Sequence, residues 1–269
     1  MEKFEKIKVR TLTIIIGLPI ILLIIHKGGI LFYLTVSLLA ILGNLEILNI
    51  SRNKNYHPSL LLGIVATLFF LFRKSLPELF IIDKGLFFTL LIFLIFMEHF
   101  LRSGKNFLIN NISITLFVAI YIGYFLSFLI NIRMLNHGEM LTIFSLLTTW
   151  MSDTAAYIFG IGFGKRHPFP TISPNKTLEG SLGGLLGGAL CGIVFSYFIP
   201  LNPFVLFILG FIAAICGQIG DLFESMIKRG FDVKDSGKLL PGHGGVLDCM
   251  DSILFSTPVL YFFFLHLIV

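Results

Sequence analysis

About nine apolar runs, most of them long enough to cross a bilayer, follow one another along this chain with only short polar segments between them. A hydrocarbon core about 30 Å thick takes about 20 consecutive apolar residues as a helix, and backbone surrounded by lipid must satisfy its own hydrogen bonds. The chain is therefore expected to be all-α, a polytopic integral membrane protein. Composition agrees, with 56% hydrophobic and 13% charged residues and a mean hydropathy of +0.93. The runs lie near Leu12 to Ile25, Ile30 to Ile50, Ser59 to Phe72, Gly85 to Leu101, Ser113 to Arg133, Met140 to Gly160, Leu178 to Ile199, Phe204 to Ser225 and Val246 to Val269.

Charge gives the expected orientation. The basic leader Lys3, Lys6, Lys8 and Arg10 resembles that of a signal peptide, but no small-x-small cleavage site follows, so an uncleaved first helix is expected. With the N-terminus in the cytoplasm, fifteen of the twenty Lys and Arg residues, Lys105 among them, fall on inner segments. Only Lys27, Arg73, Lys74, Lys84 and Arg133 stay outside. The net charge of +5 then reflects attraction to anionic lipid headgroups and implies no nucleic-acid partner. The expected location is the inner, cytoplasmic membrane of a cell.

Two regions of unequal character follow. Residues 1–136, with about five of the helices, read as a transmembrane scaffold, whose intramembrane acids Glu46 and Glu98 lie near cytoplasmic helix ends where capping or solvation explains them. Residues 137–269 read as a catalytic transmembrane region with cytoplasmic loops at 161–178 and 226–246. Cys191, Cys216 and Cys249 show no paired spacing, which argues against disulfides and zinc. Gly183, Gly184, Gly187 and Gly188 have the spacing that lets helices approach closely in lipid. Such packing suggests helix association, a homodimer being one form of it.

The segment from Ser225 to Ser252 concentrates charge at a membrane boundary. Asp248 and Asp251, three residues apart, project on one helix face and repel unless a cation lies between them. Asp221 is expected nearby, across a hairpin of two spans. Oxygen ligands without a Cys or His cluster select Mg²⁺, or Mn²⁺, and a magnesium site with few protein carboxylates suits phosphoryl transfer. Asp221, Asp248 and Asp251 are thus the expected metal ligands, with Lys228 and Arg229 as cations aimed at phosphate. Upstream, Asp153 in an apolar span and the loop Ser173, Pro174, Asn175, Lys176, Thr177 and Glu179 form a second half-site, although Thr177 and Glu179 also suit a helix cap.

These residues carry a resemblance. The run Ser225-x-Ile227-Lys228-Arg229, four residues, Lys234-Asp235-x-Gly237, then Leu240-Pro241-x-His243-Gly244-Gly245-Val246-x-Asp248-x-x-Asp251 resembles the signature of phosphatidate cytidylyltransferases, the CDP-diacylglycerol synthases. The stretch from Trp150, Asp153, Ala156, Tyr157, Gly160 and Gly164 to Ser173-Pro174-x-Lys176-Thr177-x-Glu179-Gly180 is similar to that family's other recurring segment. Between the last two aspartates the family usually has Arg, where this chain has Cys249; either Arg229 or a lysine supplies that charge, or activity is reduced. Asn175 stands where Lys is common.

The resemblance implies the reaction of CTP with phosphatidate to give CDP-diacylglycerol and pyrophosphate at the cytoplasmic face, with Mg²⁺ and the help of a monovalent cation such as K⁺. Asp153, Ser173, Lys176, Thr177, Glu179, Ser225, Lys234, Asp235, His243, Gly244 and Gly245 are the expected substrate contacts. Direct attack of the lipid phosphate on the α-phosphorus of CTP is expected, because no Ser or Cys nucleophile with an adjacent base is evident. Two alternatives stand beside it. A CTP-dependent polyprenol or phytol kinase would release CDP, and a transporter would need related halves with charges at the midplane, a pattern this chain lacks.

Overall fold

The computed structural model describes residues 2–74, 83–103, 108–239 and 244–268. Helices are the only regular elements among them. In chain order these are α1 (Glu2–Lys27), α2 (Gly29–Ser51), α3 (Leu60–Phe72), α4 (Lys84–Ser103), α5 (Leu108–Val118), α6 (Phe125–Arg133), α7 (Gly138–Phe163), α8 (Leu178–Val194), α9 (Pro203–Gly230) and α10 (Leu247–Ile268). A π-helical segment, Ala119–Tyr124, joins α5 to α6 as one rod. Each expected apolar run therefore coincides with a helical rod. Six stretches of the described residues are long and apolar enough to cross a membrane: Gly29–Lys54, Lys84–Arg102, Ile109–Arg133, Leu178–Tyr197, Pro203–Gly230 and Leu247–Leu267. The chain is an all-α, multi-pass membrane protein.

α7 is long but more polar than those six. Three of its buried hydroxyls bond back to carbonyls within their own helix, Thr142 to Gly138 at 2.7 Å, Ser145 to Leu141 at 2.8 Å and Thr148 to Phe144 at 2.7 Å, and so need no partner from outside it. α9 departs from expectation in the other direction. It continues past Ser225 for more than a turn, and Lys228 and Arg229 sit in its last turn, where cations favour the negative end of the helix dipole. The loop expected from 226 thus begins at 231.

The glycines of α8 place it between two neighbours. A Cβ on Gly187 would meet Ala155 of α7, one on Gly184 would lie 2.7 Å from Gln218 of α9, and one on Gly188 would lie 2.8 Å from Ala214. The small residues expected to bring helices together do so inside one chain, and they set α7, α8 and α9 side by side.

The largest buried cluster draws on Ile25, Phe32, Val36, Ile47 and Tyr121 from the N-terminal region and on Leu146, Val246, Met250 and Leu254 from the C-terminal one. It crosses the position 136 without a break. At one end of the molecule Arg133 donates to the carbonyl of Ile25 at 3.0 Å, and His26 lies 2.9 Å from Glu139. At the other end Lys54 pairs with Asp232. The charged residues expected at the site, Lys228 and Asp248 among them, gather toward that second end.

Candidate active site

On α9 the positions 221, 224, 225 and 228 are three or four residues apart and share one face. That face looks toward the start of α10. Lys228 Nζ lies 2.6 Å from Asp248 Oδ1 and also pairs with Glu224, whose side chain is fully buried. Ser225 is buried beside them. Beyond α9, Asp232 takes a left-handed conformation at φ 57° and Val233 N–H donates to Lys228 O at 3.0 Å, which turns the chain back.

The returning loop is organised by two carboxylates. Asp248 Oδ2 accepts from Gly245 N–H at 2.7 Å, Ser236 N–H at 3.1 Å and Ser236 Oγ at 3.0 Å. Glu46, from α2, accepts from Val246 N–H at 2.8 Å and Leu247 N–H at 2.9 Å, and from Ser236 Oγ at 2.9 Å. The first N–H groups of a helix have no partner within it, so Glu46 caps α10 from a distant part of the chain. Gly244 adopts φ 93°, and a Cβ on Gly245 would lie 2.5 Å from Glu46 Oε2, so both glycines are required by the turn. Capping was among the roles expected for Glu46; what the sequence did not show is that the helix it caps is α10, about 200 positions away. The available signal was an acid inside an apolar span.

The upstream half-site closes against the same helix. Lys176 Nζ lies 2.7 Å from Asp221 Oδ2 and 3.5 Å from the carbonyl of Gln218. Ser173 builds the turn that presents Lys176: its N–H donates to Phe169 O at 2.9 Å and its carbonyl accepts from Lys176 N–H at 3.2 Å. Asp153 of α7 interacts electrostatically with Asp221 and Lys176. Asp251 in turn feels the charges of Asp221, Glu224 and Asp153. Arg229 Nε donates to Ile172 O at 3.3 Å and its Nη1 to Val233 O at 2.9 Å, tying the upstream loop to the end of α9.

Other expected contacts are placed elsewhere. Thr177 caps α8, accepting from Gly180 N–H at 3.0 Å, and Glu179 accepts from Lys165 and Arg166 N–H at 3.0 and 3.2 Å. Lys234 and Asp235 are exposed on the loop. His243, with Leu240 and Pro241 of its motif, and Lys105 lie outside the described residues.

The expected metal trio is not assembled in this structure. Among the described residues no three His, Cys, Asp or Glu side chains converge so as to hold an ion. Asp248 is engaged by Lys228, Ser236 and Gly245, and it falls in a different group from Asp221 and Asp251. Asp153, Asp221 and Asp251 instead interact electrostatically with one another, and Lys176 pairs with Asp221. Oxygen donors with excess negative charge fit a hard divalent cation, and Mg²⁺ takes only one or two protein carboxylates, filling the rest with water and phosphate. Asp221 and Asp251 suit that role.

The cytidylyltransferase family's sequence model matches residues 8–267 of the chain. The chain belongs to this family. Relatives within it are named phosphatidate cytidylyltransferase: one from Staphylococcus epidermidis is 37% identical over 257 residues, covering 94% of this chain and 97% of the relative. One from Staphylococcus aureus is 36% identical over 257 residues with the same coverage, and one from Staphylococcus saprophyticus is 36% identical over 255. The family match spans both halves of the molecule, so the region read as scaffold belongs to it as much as the motif-bearing helices do.

Proposed function

We propose that this chain transfers the cytidylyl group of CTP to phosphatidate, giving CDP-diacylglycerol and pyrophosphate. The observation that carries the reading is the joining of the two motif stretches by the ion pair of Lys176 and Asp221, 2.7 Å apart, which sets carboxylates and ammoniums from both stretches close together among apolar helices. An oxygen of the phosphatidate phosphate attacks the α-phosphorus of CTP. The bond from that phosphorus to the oxygen bridging the β-phosphorus breaks, and pyrophosphate leaves with the electron pair. The attacking group is already ionised, so positioning and charge compensation carry most of the catalysis.

Lys176 is held by Asp221, and Lys228 by Glu224 and Asp248, until phosphate oxygens compete for them. Arg229 spends Nε and Nη1 on backbone carbonyls and retains further N–H donors for phosphate. Mg²⁺ or Mn²⁺, held by Asp221 and Asp251, would neutralise charge on the nucleotide phosphates. The site faces the cytoplasm in this reading, because it shares its end of the molecule with Arg52 and Lys54, while Lys27 and Arg133 mark the opposite end.

Purified protein in detergent with labelled CTP, phosphatidate and Mg²⁺ is expected to form CDP-diacylglycerol and pyrophosphate in equal amounts. Release of CDP with phosphorylated lipid would replace this reading with the kinase. Chelation with EDTA is expected to abolish turnover, and Mg²⁺ or Mn²⁺ to restore it; full activity after chelation would remove the metal from the proposal.

A further inference from the structure

One short stretch of the N-terminal half grips the α9–α10 loop at both of its ends. At the start, Lys54 pairs with Asp232, Asn53 Nδ2 lies 3.5 Å from Phe231 O, and the rings of Tyr56 and Phe231 meet edge-on at 6.5 Å. At the finish, Glu46 accepts from Ser236, Val246 and Leu247. A Cβ on Gly237 would run into the Glu46 carboxylate, as would one on Gly245, so the loop is moulded around this one side chain. Glu98, the other intramembrane acid of that half, bonds Ser59 and Arg102 and has no bond to the described residues of the loop.

Ser236 links the two carboxylates. Its Oγ is 2.9 Å from Glu46 Oε2 and 3.0 Å from Asp248 Oδ2, yet a hydroxyl carries a single proton to donate. Glu46 and Asp248 therefore compete for it. Each keeps two or more other donors, Val246 and Leu247 N–H for Glu46, and Gly245 N–H, Ser236 N–H and Lys228 for Asp248. Removing Glu46 leaves two N–H groups at the start of α10 without their acceptor and frees the loop segment that positions Asp248.

We propose that Glu46 is a positioning residue of the active site, acting through Ser236 and the first turn of α10 to hold Asp248, and with it Lys228, where phosphate arrives. The turnover arm of the test rests on the reaction proposed above. Glu46→Gln turns an amide NH₂ toward backbone donors, so kcat is expected to fall about 10- to 100-fold, the usual range for partners that orient a ligand-holding group. KM for CTP should change much less, and Glu98→Gln should keep wild-type kcat. In an Asp248→Asn background, Glu46→Gln should add little further loss. Folded Glu46→Gln protein with wild-type kcat, or losses that multiply independently with Asp248→Asn, would overturn the proposal. A second arm needs no turnover: Lys234 and Lys238 are exposed, and tryptic cleavage after them should be faster in Glu46→Gln than in wild type or Glu98→Gln. Unchanged cleavage would refute the clasp. If wild type makes no CDP-diacylglycerol while the cleavage difference holds, the reaction assignment fails and the clasp stands.

Discussion

Lys228 is held by two acids with different stakes in it. Glu224 is fully buried, so its charge depends on the ammonium one turn away, whereas Asp248 has other donors as well. Lys228→Gln should therefore act twice. It should lower kcat/KM by about 10²- to 10³-fold, the scale of one lost electrostatic contact to a reacting phosphate. It should also destabilise the fold by about 3–5 kcal/mol, because a buried carboxylate is left unpaired. Adding Glu224→Gln should recover the thermal midpoint without recovering activity; recovery of both would assign Lys228 a purely structural part. Lys176→Gln, in a pair more exposed than that of Lys228 and Glu224, should lose activity with a smaller change in midpoint. The residues that carry charge in the cleft were legible in the sequence, because acids and bases stand out in an apolar chain. Their pairing was not. Asp248 was expected beside Asp221, but the turn at Gly244 and Gly245 directs its carboxylate to Lys228 and Ser236 instead. Cys249 takes the position where Arg is usual, and Lys228 lies against the neighbouring Asp248.

The positions of the described helices followed from apolar runs, and six stretches among them are long and apolar enough to span a membrane. Helix ends did not, where charge and helix coexist: α9 carries Lys228 and Arg229 inside its last turn, so polarity there marks a functional face and not a loop. The glycines of α8 were legible as packing residues because their spacing has one common use in lipid. Gly192 tests this directly. A Cβ there would run into the carbonyl of Leu206, so Gly192→Val should cost about 1–3 kcal/mol as overpacking and lower the thermal midpoint in detergent. Gly162, with nothing within 4 Å of a Cβ, should accept Ala with no loss, and helix propensity favours that change. Equal effects at both positions would mean that α8 does not depend on backbone contact.

Across the whole molecule, the two ends are distinguished by which residues they gather, and this predicts accessibility. In a variant with native cysteines replaced by serine, Arg52→Cys and Lys234→Cys should react with an impermeant maleimide from the same side of the membrane, and Lys27→Cys only from the other. The division at 136 has no counterpart in the core, which runs through Ile47, Tyr121, Val246 and Leu254. Contacts between residues far apart in the chain leave no local trace, which is why Glu46 could be seen as an unusual acid but not as a partner of α10. That separation has a consequence in time. Glu46 and Leu247 are 201 positions apart, and at ordinary rates of synthesis the acceptor waits on the order of 10 to 40 s for its donors. Until α10 has been made, the carboxylate has no N–H groups to receive and the loop has nothing to close on, so the clasp can form only after Leu247 has been added to the chain.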